Sequence, residues 1–298
     1  MQKFAVLGNL NWDLVLRTIP DWPGWGREVF VDHVNRIPGG IAHACLAARH
    51  LGTEVTAIGA VGNDLDGMAL ITQLEQAAVH VDAMQSSEAA TGLSTAIVAP
   101  NAERTYFTYA GALSTASPLD LWHHFREHAH GHRLLLVSGA PLIKRSPLTE
   151  WVQLISEAHD REIEVALDLG WDPHEQWDVW SDILPLVDIV IVNEAEEPVY
   201  LKPQITPRIA VVKQGAGGAR IIRDLACTKI PPFPTTPVDT GGAGDVWNGS
   251  FACRYLDTGD LLQSAMFANA AASLYVSIPA AENRYPSKKA VLELLRKA

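Results

Sequence analysis

The chain has 298 residues, 48% hydrophobic and 19% charged, which suits one globular body with a substantial buried core. Its 34 acidic and 23 basic residues give a formal net charge of −11, the wrong sign for a nucleic-acid surface. No apolar run approaches the roughly 20 residues that span a bilayer, so no membrane partner is expected. Residues 4–7 are too short for a signal-peptide core. Cys45, Cys227 and Cys253 match no metal or disulfide spacing. They read as buried, reduced thiols, and the protein as cytoplasmic.

Residues 3–7 form a short apolar run ended by Gly8, the pattern of a buried parallel strand. Asn9-Leu10-Asn11-Trp12-Asp13 follows, at the carboxyl end where α/β sheets present ligands. Asn11 offers donor and acceptor and Asp13 accepts from two hydroxyls, a pairing suited to a polyol; a simple Asx turn is the other reading. Trp22-Pro23-Gly24-Trp25-Gly26 marks a turn, and residues 28–34 alternate valines with polar residues like exposed strands. A small sheet projecting from the main body, a lid, is expected over residues 12–36 and 91–111. Trp12, Trp22 and Trp25 would stack on a ligand, cover a contact between chains, or pack internally.

Pro38-Gly39-Gly40 is expected to open a helix over residues 41–51, with the glycines allowing close approach to a ligand. Residues 55–61 read as a strand and Asp64 as the cap of the next helix. Residues 91–98 and 104–109 flank Pro100-Asn101-Ala102-Glu103, a hairpin by composition, with Phe107 and Tyr109 on one side. In the histidine-rich stretch 122–132, His124 and His128 share a helix face but read as a solvated helix end rather than a metal site.

From residue 134 onward, strand and helix patterns alternate, ending in Ser138, Asp168 and Asn193, which means a parallel sheet covered on both faces. Asn193-Glu194-Ala195-Glu196 follows one strand, and Lys213-Gln214-Gly215 follows another. Residues 219–223 and 227–230 would make the sheet's edge. The sequence carries no G-x-x-x-x-G-K-[ST] loop, and the glycine run 215–220 ends in Arg220, against a dinucleotide fingerprint. Three helices fill the remainder, over 246–256, 261–276 and 288–295.

Residues 238–245, Val-Asp-Thr-Gly-Gly-Ala-Gly-Asp, precede the first of these helices. Small residues leave the amides bare, and a helix start adds partial positive charge, so the three glycines and alanine of 241–244 read as a phosphate cradle of main chain alone. Asp245 beside that cradle repels an anion and is suited to take a proton from an attacking hydroxyl; a glycine-rich connector with an aspartate cap is the plainer alternative.

Asp239–Asp245 resembles the DTxGAGD signature of the ribokinase-like (PfkB) family of carbohydrate and nucleoside kinases, and the likeness runs nearly the full length. It implies a single three-layer α/β/α domain over residues 1–298 with a mostly parallel central sheet and a β lid. It also implies ATP and Mg²⁺, Asp245 as base and 242–244 as the anion hole. Gly8-x-x-Asn11-x-Asp13 would contact the sugar, as would Gly39 and Gly40. The family asparagine after that glycine pair is replaced by His43 or Ala44, of which His43 retains hydrogen-bonding ability. Asn193 and Glu196 match the family's NxxE and would orient Mg²⁺ through waters. Lys213 and Gly215 would lie near the ATP phosphates and Asn269 near the adenine. Many members bind K⁺ beside the signature loop; Asp239 fits such a site, whereas residues 277–283 do not match its other half. Absence of an arginine after the lid aromatics disfavours an acid sugar, and Arg27, Arg36 and Arg104 form no evident cluster for a sugar phosphate. The expected substrate is therefore a small neutral sugar, ribose- or fructose-like. Rival readings are a nucleoside kinase and a non-catalytic sensor, and an apolar lid face suits a homodimer.

Overall fold

The computed structural model describes all residues except 1–2, 18–21, 23, 87, 100–103, 144–145, 204, 206, 225, 280–283 and 298. The lid-hairpin tip at 100–103 and part of the 277–283 segment therefore lie outside the described residues.

The strands are β1 (Lys3–Gly8), β2 (Leu10–Arg17), β3 (His33–Gly40), β4 (Glu54–Gly62), β5 (His80–Ser86), β6 (Gly92–Val98), β7 (Arg104–Tyr109), β8 (His132–Ser138), β9 (Glu164–Asp168), β10 (Ile189–Asn193), β11 (Ile209–Lys213), β12 (Ala219–Arg223) and β13 (Ala226–Ile230). The helices are α1 (Ala42–His50), α2 (Leu65–Gln76), α3 (Pro118–Phe125), α4 (Leu148–His159), α5 (Glu197–Tyr200), α6 (Ala243–Thr258), α7 (Leu261–Val276) and α8 (Lys288–Lys297).

Nine strands form the main sheet in the order β13-β12-β11-β10-β9-β8-β1-β4-β5. Strands from β11 to β5 pair in parallel, and β12 and β13 add antiparallel pairs at one edge. Because successive strand residues point to opposite faces, each strand feeds two cores. Phe4, Val6, Leu134 and Leu136 pack under α1, α6 and α7. Ala5, Leu7, Leu135 and Val137 pack under α3 and α4. The three-layer arrangement follows from this double burial. Helix α1 lies so close to α6 that a Cβ on Gly249 would stand 2.3 Å from the Ala44 carbonyl oxygen.

The lid is a second sheet, ordered β3-β2-β6-β7. Residues 10–13, expected as a strand-end loop, instead begin β2, so the chain passes from the main sheet into the lid across Asn9 alone. Residues 28–32 are not strand; β3 begins at His33 and carries Pro38-Gly39-Gly40 at its end, paired with Trp12, Asn11 and Leu10. A proline is tolerated there because β3 is an edge strand. Trp12 is buried, with its Nε1 donating to the Asp66 carbonyl at 3.0 Å and Arg36 stacked on its ring, so it is a packing residue. Trp22 stacks on Phe107 and Trp25 is fully exposed.

One further expectation is corrected: Cys227 is exposed on β13, while Cys45 and Cys253 are buried. His124 and His128 are exposed, as expected of a solvated helix end, and both reach Asp82 of β5, at 3.0 and 2.9 Å. No described helix is long and apolar enough to cross a membrane.

Candidate active site

The parallel register aligns polar strand ends along one rim of the main sheet. Gly8 pairs with Ser138 and Ser138 with Asp168, while Asn193 pairs with Lys213 on the next strands. Two cavities open above this rim. The larger, about 430 Å³, is lined by Gly215, Phe233, Trp247, Ser273 and others, and the smaller, about 260 Å³, by Asn9, Gly40, Ser138, Asp168 and Asp245 among others. Lys213 and Gly244 line both, so the cavities meet at the start of α6.

That start is formed by Gly242, whose φ of +73° is a left-handed cap. A Cβ there would also sit 2.7 Å from the His43 ring. The Ala243 N–H turns back to the Thr240 carbonyl at 3.2 Å, whereas the Gly242 and Gly244 N–H groups make no hydrogen bond within the described residues. Asp245, in the first turn of α6, accepts from the Ser138 hydroxyl at 3.3 Å. Burial pushes its carboxyl up to about 6, with Asp168 and Asp13 adding repulsion against the pull of His43 and Lys213.

Lys213 donates to Asp168 Oδ2 at 2.8 Å and to Asn248 Oδ1 at 3.2 Å, and Asn248 in turn donates to Asp168. Burial pulls the Lys213 ammonium down, but Asp168 and Glu196 outweigh it and hold it above its ordinary value. Asn193 and Glu196 close a reciprocal box: the Asn193 backbone and side-chain amides donate to the Glu196 carboxylate at 2.9 and 2.7 Å, and the Glu196 N–H returns to Asn193 Oδ1 at 2.9 Å. Burial and neighbouring Asp168 push the Glu196 carboxyl up to about 7, despite Lys213.

On the acceptor side, Asn11 is buried and donates to Asp13 Oδ1 at 2.8 Å. Its own Oδ1, and that of Asn9, are buried without a partner, an arrangement costly unless a ligand donates to them. Gly39 lies flush against Asp13, where a Cβ would come within 2.1 Å of the carboxylate, and Gly40 leaves no room beside the Asn9 carbonyl. His43 is buried rather than lining the smaller cavity. Its Nδ1 meets the Tyr285 hydroxyl at 2.8 Å and its Nε2 stands 3.5 Å from Asp13, so its ring supports the signature loop from beneath.

Asp239 does not present a free carboxylate to a cation. It is buried and carries Arg17, Arg104 at 2.7 Å and Arg284 at 3.3 Å. Burial raises its carboxyl, but the Gly241 N–H and the three guanidinium groups outweigh that and hold it down at about 2. Arg17 and Arg104 come from β2 and β7, so the lid is tied to the signature loop. Gly215 lines the larger cavity with a φ of +50° and open space around it. Asn269 lines it too, but its amide is engaged internally: Oδ1 accepts from Trp247 at 2.8 Å and Nδ2 donates to the Pro231 carbonyl at 2.9 Å. It positions the 230–231 backbone at the cavity edge.

The sequence reading gives no role to Asn9, Asn248, Arg17 or Arg284, and weighs Arg104 only for a sugar phosphate. Asn9 stands directly after a strand end and Asn248 lies one helical turn beyond Asp245, signals that were present. The arginines, at 17, 104 and 284, shared no local pattern.

Comparison with known proteins then decides the family. The model of the "pfkB family carbohydrate kinase" matches residues 1–288. The chain belongs to the PfkB family of carbohydrate kinases. It is accordingly an ATP-dependent kinase of the ribokinase-like sugar and nucleoside class. A ribokinase of Bacillus subtilis is 27% identical over 99% of this chain and 100% of its own. An ATP-dependent ribose-1-phosphate kinase of Halopiger xanaduensis is 27% identical over 92% of each. The structure of Arabidopsis thaliana ribokinase complexed with ribose and ATP superposes with a TM-score of 0.81, at 22% identity over 99% of both chains. Within this PfkB chain the fold is thus the ribokinase fold, with the β lid as its second sheet.

Proposed function

We propose that this PfkB kinase transfers the γ-phosphoryl group of ATP to a hydroxyl of a small neutral sugar, ribose- or fructose-like. The observation that carries the substrate class is the charge of the smaller cavity. Asp168, Glu196 and Asp245 line it, and Lys213, the sole cation among the described residues of its lining, is already held by Asp168. An anionic acceptor placed about 4 Å from one such carboxylate is opposed by about 4 kcal/mol at an effective dielectric near 20. A neutral polyol meets no such barrier, and its hydroxyls supply the donors that Asn9 Oδ1 and Asn11 Oδ1 lack.

ATP occupies the larger cavity, its terminal phosphate at the junction where the Gly242 and Gly244 amides are free. The acceptor lies in the smaller one, against Asn9 and Gly40 of its lining, with Asn11, Asp13 and Gly39 on the adjoining lid strands. Its O–H gives the proton to the Asp245 carboxylate as the oxygen bonds to the γ-phosphorus, and the bond from phosphorus to the ADP oxygen breaks. Charge on the moving phosphoryl oxygens is met by the free amides of the loop. His43 supports the loop rather than touching the sugar.

Mg²⁺ fits the oxygen-only donor set at this rim, where the crowded Glu196 and Asp168 carboxyls gain from a cation. Among the described residues no three His, Cys, Asp or Glu groups converge closely enough to bind a metal directly, so Asn193 and Glu196 would hold it through waters. Bound there, it would supply charge neutralisation at the phosphates.

A coupled assay of ADP release with ribose, fructose, ribose 5-phosphate and adenosine tests the assignment. Turnover with ribose or fructose and little with the phosphate is expected. Turnover confined to adenosine would move the protein to nucleosides, and ligand binding without ADP release would make it a sensor. The rate should also fall below pH about 6, since Asp245 accepts a proton only when ionised and its carboxyl is raised to about 6. A profile flat down to pH about 4, the ordinary carboxylate range, would remove Asp245 as the base. The reading extends to a pair of chains meeting at the lid, where edge strand β7 exposes Tyr106, Phe107 and Tyr109. A solution mass of 32.4 kDa by light scattering would refute that pairing.

A further inference from the structure

The signature loop has two sides. Gly244 lines both cavities, the Gly242 N–H carries no hydrogen bond within the described residues, and the carbonyls of Asp239 and Gly241 face the interior. There the Arg284 guanidinium meets them: Nη2 donates to the Gly241 carbonyl at 2.8 Å, and Nη1 reaches the Asp239 carbonyl at 3.4 Å and its carboxylate at 3.3 Å. Arg284 is buried, lies 4.0 Å over the Tyr275 ring, and shares the Gly241 carbonyl with the Tyr275 hydroxyl at 2.9 Å. In a trans peptide the carbonyl of one residue and the N–H of the next point in opposite directions. Holding the Gly241 carbonyl inward therefore aims the Gly242 N–H outward, at the phosphoryl position.

These backbone oxygens and the Asp239 carboxylate are the donors a K⁺ ion beside this loop would use. With Arg17, Arg104 and Arg284 already on one carboxylate, a fourth positive charge at the same oxygens would be buried among like charges with no second carboxylate among the described residues there. K⁺ does not fit.

We infer that Arg284 is a tethered cation: it orients the 241–242 peptide of the anion hole from within the chain, so turnover needs no monovalent ion. This rests on the kinase reading above. Arg284 is a positioning residue, acting through the backbone and not on the substrates.

The full chain would be assayed for ADP release with Mg²⁺, ATP as an organic salt and the acceptor selected above, in KCl and in tetramethylammonium chloride at equal ionic strength. Thermal unfolding would be followed in both salts without substrates. The wild-type protein should turn over within about twofold in the two salts and melt at the same temperature in each, because no ion binds the folded state preferentially. Arg284→Ala should lose about 10²-fold in turnover in tetramethylammonium, as for a displaced oxyanion donor. KCl should restore part of that loss and raise the melting temperature of this variant alone. Arg284→Lys, which keeps a tethered charge, should remain insensitive to KCl and serves if the alanine variant does not fold. Wild-type turnover that requires KCl, a K⁺-specific rise in wild-type melting temperature, or full Arg284→Ala turnover without KCl would overturn the inference. If no acceptor yields ADP, the kinase reading fails, and the melting comparison still judges Arg284.

Discussion

Asp245→Asn should lower ADP release by about 10²–10⁴-fold, the usual range for losing a general base, with ATP affinity little changed. The substitution keeps the side chain's size and its place in the first turn of α6, so the Ser138 contact and the helix start persist. Only the capacity to hold the acceptor's proton disappears. ATP affinity is spared if, as proposed, the nucleotide binds in the larger cavity, whose lining includes Gly244 and Ala243 but not Asp245. Isothermal titration with ATP, beside steady-state turnover, separates the two effects. The acidic limb of the pH profile should vanish in the same variant. Near-normal turnover, or an acidic limb that survives, would assign proton removal elsewhere.

Gly242→Ala should cost about 10²–10³-fold in turnover, the range for removing one oxyanion-hole donor. The left-handed φ of +73° adds roughly 1–2 kcal/mol of strain for a residue with a Cβ. The new methyl would also lie 2.7 Å from the His43 ring, which is pinned by Tyr285 and faces Asp13. The loop must therefore shift, carrying the Gly242 N–H off its target. Adding His43→Ala removes the obstruction, so the double variant should recover part of the loss, a coupling that a double-mutant cycle would register. Equal additive losses would mean that the ring does not shape the loop.

The reach of the sequence depended on how local each structural device is. An anion hole of consecutive amides followed by an acid must be written within a few residues, and 239–245 could be read as a unit. Alternating apolar runs likewise announced the parallel sheet and where its polar ends would gather. Asn9 was open to the same reasoning as Asn11, since both follow β1 closely. Other features depend on the chain folding back on itself. Nothing local joins Arg17, Arg104 and Arg284 to Asp239, and their convergence occupies its carboxylate with guanidinium groups. His43 offered suitable atoms for a sugar, but its ring is buried against Gly242. Pro38-Gly39-Gly40 looked like a helix entry because glycine and proline mark breaks without saying which element they break; pairing with β2 made it the end of a strand.

The close approach of Gly249 to the Ala44 carbonyl fuses the frameworks behind His43 and the signature loop into one unyielding block. The lid, by contrast, joins that block across Asn9 and Ile41 and through two arginine side chains on Asp239. Descent with modification can therefore exchange or reshape lid segments to suit a new acceptor, while the phosphoryl chemistry is inherited intact.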